Sequence, residues 1–171
     1  DILVNNAGMA YLERFEEITP EHWRRVLAVN LDAVFFLTQP ISRRMVEAGI
    51  KGRIINLSSK NGLVAEAGLA HYNASKGGIE LLTQSLAIEL GPFGITVNSI
   101  CPAYVRTPLV DGQIADQARA HNLSPEEVIE TIMLKNAAVK RLIEPAEIGE
   151  LVLYLCSAQA ACMTGSMITM D

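Results

Sequence analysis

The sequence predicts an α/β fold in which helices cross over a parallel sheet. Three observations predict it. Short apolar runs alternate with longer stretches of helical period. The runs end in polar or proline-containing breaks, at Asn5-Asn6-Ala7-Gly8, Ser58-Ser59 and Pro102-Ala103-Tyr104. Proline and glycine sit where helices start and stop.

Ile2-Leu3-Val4 is a short apolar run, as expected of a buried parallel strand. With Asp1 it reads as the middle of a domain. Thr19-Pro20-Glu21 opens a helix, with Thr as N-cap and Pro at the first helical position. Its apolar stripe is Trp23, Val26, Leu27 and Val34, and Asn30 falls in the middle of that stripe. Pro40 is expected to bend or interrupt the helix, and Gly49 lies near its end. Ile54-Ile55-Asn56-Leu57 is the second strand, running out at Ser58-Ser59. A loop marked by Gly62 and Gly68 follows. The next helix carries Ile79, Leu82, Leu86 and Leu90 and stops at Gly91-Pro92. Gly77-Gly78 inside it signals close approach to another helix or a ligand. Ile95 to Ile100 is the third strand. Residues 109–143 are amphipathic and irregular, with a fresh helix start at Ser124-Pro125-Glu126-Glu127. Pro145-Ala146-Glu147 opens the last helix, and Met167 to Met170 is the last strand.

The chemistry gathers in His71-Tyr72-Asn73-Ala74-Ser75-Lys76. On a helix, Tyr72 and Lys76 stand one turn apart on one face. A free phenol titrates near 10 and is a poor proton shuttle at neutral pH. A fixed ammonium favours the phenolate and lowers that value. An exposed Tyr beside a snorkelling Lys is the bland alternative for the pair alone. In open parallel sheets, however, ligands sit beyond the carboxyl ends of strands. Tyr72 and Lys76 begin the helix after one such end, which favours a site. Asn30 is an amide on a core-facing stripe, so it either bridges backbone groups or belongs to the site. His71 is turned about 100° from Tyr72 and reads as solvent or rim.

The 171 residues suffice for one domain with a sizeable core, so 1–171 is read as a single unit. Half of the residues are apolar and the net charge is −5, without the basic excess of a nucleic-acid or anionic-membrane binder. No apolar run reaches membrane-span length and no secretory leader is visible. The expected location is cytoplasmic, with Cys101, Cys156 and Cys162 as buried reduced thiols. His22, His71 and His121 are scattered, and no His/Asp/Glu cluster has ligand spacing, so no metal is expected.

Five marks together resemble the short-chain dehydrogenase/reductase family: Asn5-Asn6-Ala7-Gly8, Asn30, Ser59 thirteen residues before Tyr72, Tyr72-x-x-x-Lys76, and Pro102 followed by Thr107. The resemblance covers the whole chain. It implies a Rossmann-like doubly wound sheet lacking its first strands, because the glycine-rich phosphate turn is not in this stretch. It implies a nicotinamide cofactor, NAD or NADP with NAD favoured, and a homodimer or homotetramer packed through the two long helices, with Gly77 and Gly78 at the contact. By resemblance, Tyr72 is the proton donor or acceptor and Lys76 lowers its pKa and holds the ribose. Ser59 hydrogen-bonds the substrate oxygen, and the Asn30 backbone holds a relay water. Asn6, Ala7 and Gly8 line the cofactor, and Val105 and Thr107 meet its carboxamide.

The stretch from Ile100 to Val110, Gln113, and Lys140 to Pro145 is most similar to 3-hydroxybutyrate dehydrogenases. In that group, aromatic and Gln residues at Tyr104 and Gln113 face the substrate. Ala10, Asn61 and Leu69 stand where its polar carboxylate contacts lie. Tyr104, Gln113 and Asn61 are expected as donors to a small substrate's carboxylate. The expected activity is oxidation or reduction of 3-hydroxybutyrate or a related 3-hydroxy acid or acyl compound. A 3-oxoacyl thioester or general ketone reductase is the alternative, and a non-catalytic nucleotide-binding relative is another. The 171 residues alone are not expected to turn over substrate. Residues 108–143 are expected to form a two-helix flap over the nicotinamide.

Overall fold

Four short runs of branched apolar residues pair into one parallel sheet, described here from a computed structural model of residues 1–171. The strands are β1 (Ile2–Asn5), β2 (Arg53–Leu57), β3 (Thr96–Pro102) and β4 (Met167–Met170), in the order β1-β2-β3-β4. In chain order the helices are α1 (Pro20–Leu27), α2 (Ala33–Glu47), α3 (Ala70–Leu90), α4 (Pro108–His121), α5 (Pro125–Val128) and α6 (Pro145–Cys156). Each strand is hydrogen-bonded to the next in sequence, which requires a crossover each time.

The two sheet faces differ. Ile54 and Val97 pack with Met45 and Ala87, under α2 and α3. Ile55 and Ile100 pack with Leu155, under α6. The face towards α3 turns polar as it nears the carboxyl ends. Asn5, Asn56 and Ser99 lie in register across three strands. Asn5 Nδ2 donates to Thr38 and to Asn56 Oδ1 at 3.0 and 2.8 Å, and Asn56 Nδ2 donates to Thr83 at 2.9 Å. This relay satisfies buried amides that would otherwise cost about 1–3 kcal/mol each. β1 lies at the edge of the four strands described, with Asn5 buried and Ile2 and Val4 exposed.

Thr19 caps α1 with Pro20 in the first turn, as predicted. Trp23 is exposed, so the apolar stripe narrows to Val26, Asn30 and Val34. Pro40 does not interrupt α2, which runs through it to Glu47. Pro40 lies on the exposed side, where water can satisfy the carbonyl that loses its partner. The irregularity falls earlier, in a π-helical turn at Ala28–Asp32 joining α1 to α2. Ser124 and Glu127 form the predicted capping box on α5. α5 runs on into a second π turn at Ile129–Met133.

α4 and α5 have a core of their own: Val110, Ile114, Val128, Met133, Leu134 and Leu142. The excursion is pinned at its base. Arg106 N donates to Ile143 O and Ile143 N to Tyr104 O, at 2.8 and 2.9 Å. The predicted two helices therefore form a self-packed unit that leaves and re-enters the fold at one place. Of the three free cysteines only Cys101 is buried; Cys162 is exposed and Cys156 half-buried. No helix is long and apolar enough to cross a membrane.

Candidate active site

A cleft of about 520 Å³ opens at the carboxyl ends of β2 and β3. The sequence places it there for a local reason. β2 ends at Leu57, and Ser58-Ser59 leads into a short turn at Lys60–Gly62 that doubles back against α3. Gly62 permits this approach, since a Cβ there would stand 2.8 Å from the Lys76 carbonyl oxygen. Loop and helix are thus in backbone contact, and Ser59, Tyr72 and Lys76 line one cavity. Gly78, two residues past Lys76, has a similar role: a Cβ there would meet Leu31 at 2.8 Å. That is close packing within the chain, against the turn that joins α1 to α2.

Lys76 is buried, and its Nζ donates to the Leu57 carbonyl at 2.8 Å. Nζ lies 5.6 Å from the Tyr72 ring centroid. Burial lowers the Lys76 pKa to about 8, with Glu80 and Cys101 pushing it back up. The Tyr72 pKa is raised above its usual value, mainly by burial and further by Glu66. The direction is opposite to the one expected from the Lys76 ammonium, because desolvation of the phenolate is the largest cause. The nearby Ser59 hydroxyl pulls it down, although the pair closes no full hydrogen bond in this geometry. Ser59 Oγ instead accepts from Asn61 N at 3.1 Å.

Asn30 is fully buried beneath the cleft. Its Oδ1 accepts from Met9 N, and its Nδ2 donates to Met9 O and Ser75 Oγ, at 2.9, 2.9 and 3.0 Å. The side chain therefore clamps the loop after β1 to α3. His71 is the opposite of a rim residue, with no exposure. The Tyr72 N–H donates to its Nδ1 at 2.9 Å, which leaves the proton on Nε2, 3.3 Å from Glu13. Glu13 also holds His22 at 2.6 Å. Spacing within the helix could not reveal a carboxylate arriving from fifty-eight residues away.

Asn6, Gly8, Val105 and Thr107 line the cleft, whereas Ala7 stays exposed outside it. Thr107 Oγ1 also caps α4. Asn61, Tyr104 and Gln113 line it too, but two of these three have no donor to spare. Tyr104 Oη donates to Glu66 at 3.1 Å. Asn61 Nδ2 donates to Glu66 and to Asn73, at 3.4 and 3.1 Å. Arg106 turns away to an exposed ion pair with Glu144. Sequence reasoning missed Glu66 and Glu80. Glu80 at least had a signal, since it continues the Tyr72–Lys76 spacing by one more turn. No group of His, Cys, Asp and Glu is placed to hold a metal ion.

The family model described as enoyl-(acyl carrier protein) reductase matches residues 1–171. The chain is 45% identical over 171 residues to D-beta-hydroxybutyrate dehydrogenase of Rhizobium meliloti (strain 1021), covering 100% of this chain and 66% of that protein. It is 40% identical over 169 residues to acetoacetyl-CoA reductase of the same organism, covering 99% of this chain and 65% of that protein. Its fold is similar to a solved 4-hydroxyisoleucine dehydrogenase complexed with NADH, with a TM-score of 0.89, 34% identity, and 100% of this chain against 66% of that one. The chain thus spans about two thirds of the length of the proteins it matches. With the Ser59, Tyr72 and Lys76 geometry at the strand ends, these matches make it a member of the short-chain dehydrogenase/reductase family.

Proposed function

We propose that this chain carries the proton-transfer site of a nicotinamide-dependent oxidoreductase that interconverts a secondary alcohol and a ketone. The observation that carries the reading is one cleft, beyond strand ends, lined by a half-buried phenol, a hydroxyl and a buried ammonium. Tyr72 gives or takes the hydroxyl proton. Ser59 holds the substrate oxygen beside it, so that charge developing there meets a placed donor. Lys76 spends one N–H on Leu57 and keeps two for a ribose hydroxyl or for stabilising the phenolate. Asn30, which clamps Met9, fixes the loop that brings Gly8 over Lys76; the relay water on its backbone remains part of the proposal.

The residues fit a nicotinamide nucleotide. Gly8 has no side chain to cover Lys76, whose Nζ would lie 3.6 Å from a Cβ there. Asn6, Gly8, Val105 and Thr107 would hold the group, with Ala7 at its outer edge. Bound, it accepts or supplies the hydride; the relative complexed with NADH favours NAD, with NADP the alternative. The proposed substrates are 3-hydroxybutyrate and related 3-hydroxy acids or acyl compounds, supported by the hydroxybutyrate dehydrogenase and acetoacetyl-CoA reductase relatives. Gln113, half-buried in the cleft wall, is left to reach the substrate. A homo-oligomer is proposed through α2 and α3, whose Phe36, Leu81 and Ile88 stand exposed at 67%, 68% and 78%.

The test is hydride transfer by the full-length protein and its Tyr72→Phe variant, at saturating cofactor. The variant should lose roughly 10²-fold or more of kcat. Parental activity in the variant would end the assignment.

A further inference from the structure

One wall of the cleft offers the substrate almost nothing but acceptors. Asn73 Nδ2 donates to the Glu66 main-chain carbonyl at 2.8 Å. That anchors the Asn73 amide, so its oxygen faces Asn61 and Asn61 must present its NH₂. Both N–H groups of Asn61 are then used, on Asn73 and on Glu66 Oε2. The single O–H of Tyr104 is used on Glu66 Oε1. Glu66 itself is in no ion pair. Leu69 adds an apolar surface to the cleft; Asp116, which also lines it, is paired with Arg119. Two cations line it. Lys76 is bonded to Leu57, and the Lys60 ammonium rests on the Tyr104 ring face, 4.5 Å from its centroid.

A carboxylate brought against this wall would meet Glu66 and find the neutral donors already taken. Like charges brought together in a binding site repel, and displaced hydrogen bonds add to that cost. The same wall accommodates an uncharged acyl end, and it pairs with any N–H or O–H that end carries.

We propose that Glu66 is a specificity-determining residue that makes the cleft select acyl compounds whose carboxyl is masked, as a thioester, ester or amide, and reject the free 3-hydroxy acid. This rests on the oxidoreductase reading above and decides between its two substrate forms. The polar partners of Glu66 are structural in origin but specific in effect. They hold its exposed carboxylate at the cleft wall and use up the side-chain N–H groups of Asn61 and the O–H of Tyr104.

The experiment compares 3-hydroxybutyrate with its methyl ester, an uncharged near-isostere, in the full-length protein at saturating nicotinamide. The expected kcat/KM favours the ester by about tenfold or more. Glu66→Gln, of the same shape, should shrink that preference about tenfold, chiefly through a lower KM for the acid. Glu66→Asp should keep it. An acid preference in the parent that Lys60→Ala abolishes would mean that Lys60 binds the carboxylate, and would overturn the proposal. So would an ester-to-acid ratio that Glu66→Gln leaves unchanged. Turnover of a carboxylate-free secondary alcohol with no ester preference overturns this inference alone. No turnover of any of the three overturns the oxidoreductase reading, and this inference with it.

Discussion

Glu80 lies one helical turn beyond Lys76, and neighbours on β3 hold both of its carboxylate oxygens. Ser99 donates to Oε2 at 2.5 Å and Cys101 to Oε1 at 3.2 Å. Tyr72, Lys76 and Glu80 thus form a ladder down one face of α3, with an acid at its buried end. Burial alone drives Lys76 towards neutrality, and Glu80 opposes it. Glu80→Gln should therefore take the Lys76 pKa below about 8. Lys76 would lose its charge at lower pH, so the alkaline fall in kcat/KM should begin earlier than in the parent. Superimposable pH profiles would show that Glu80 has no such effect.

Lys76 also links folding to pH. Its folded pKa of about 8 is below the ordinary lysine value of 10.5, so above about 8 the unfolded chain binds a proton that the folded chain does not. Stability should rise by about 1 kcal/mol between about pH 8 and about pH 9. Beyond that, Cys101 acts in the opposite sense: burial holds its thiol protonated up to about 12. Urea midpoints of the ligand-free protein across that interval measure the effect, and a flat or falling trend contradicts it.

Ser59→Ala removes the group that pulls the Tyr72 pKa down and the donor proposed for the substrate oxygen. The expected loss is about 10²–10³-fold in kcat, the range seen when one placed donor is deleted. The acid limb of alcohol oxidation should also move to higher pH. Steady-state rates across pH separate the two effects.

Gly62→Ala would push a methyl against the Lys76 backbone, which cannot move like a side chain. The loop carrying Ser59 must shift, at a cost of about 1–3 kcal/mol. Activity should fall while the far-UV circular dichroism spectrum is kept. Parental activity would show that the loop relaxes without disturbing Ser59.

α4 and α5 share a small core of their own, hinged where Ile143 pairs with Val105. Cofactor and substrate together should protect residues 108–143 from proteolysis. Leu142→Ala, which opens that core at a cost of about 2–5 kcal/mol, should raise cleavage there and KM together. Cleavage rates unaffected by ligand would make the segment a fixed embellishment.

The site was legible where chemistry is local. Tyr72 and Lys76 declare themselves because a helix places residues four apart on one face. Thr19-Pro20 and Ser124-Pro125 declare helix starts because a cap is a matter of neighbouring residues. Long-range partners were hidden. Nothing near His71 announces that Glu13 will reach it, and nothing near Tyr104 announces that Glu66 will accept its hydrogen bond. The Tyr72 pKa was misread for the same reason: the helix supplies the nearby charge, but the whole fold supplies the desolvation. Pro40 misled because a proline's cost depends on whether its orphaned carbonyl meets solvent.

The π turn at Ala28–Asp32 has a consequence for how length can vary in this chain. Such a turn is a single extra residue absorbed into a helix. It lets Val26 and Asn30 on one side, and Val34 and Thr38 on the other, all reach the buried face. Removing one residue there would regularise the hydrogen bonding and still misalign the two halves by about 100°. Either Val26 would rotate towards solvent or Thr38 would leave Asn5. A change that perfects the helix would thus dismantle the register between it and the sheet.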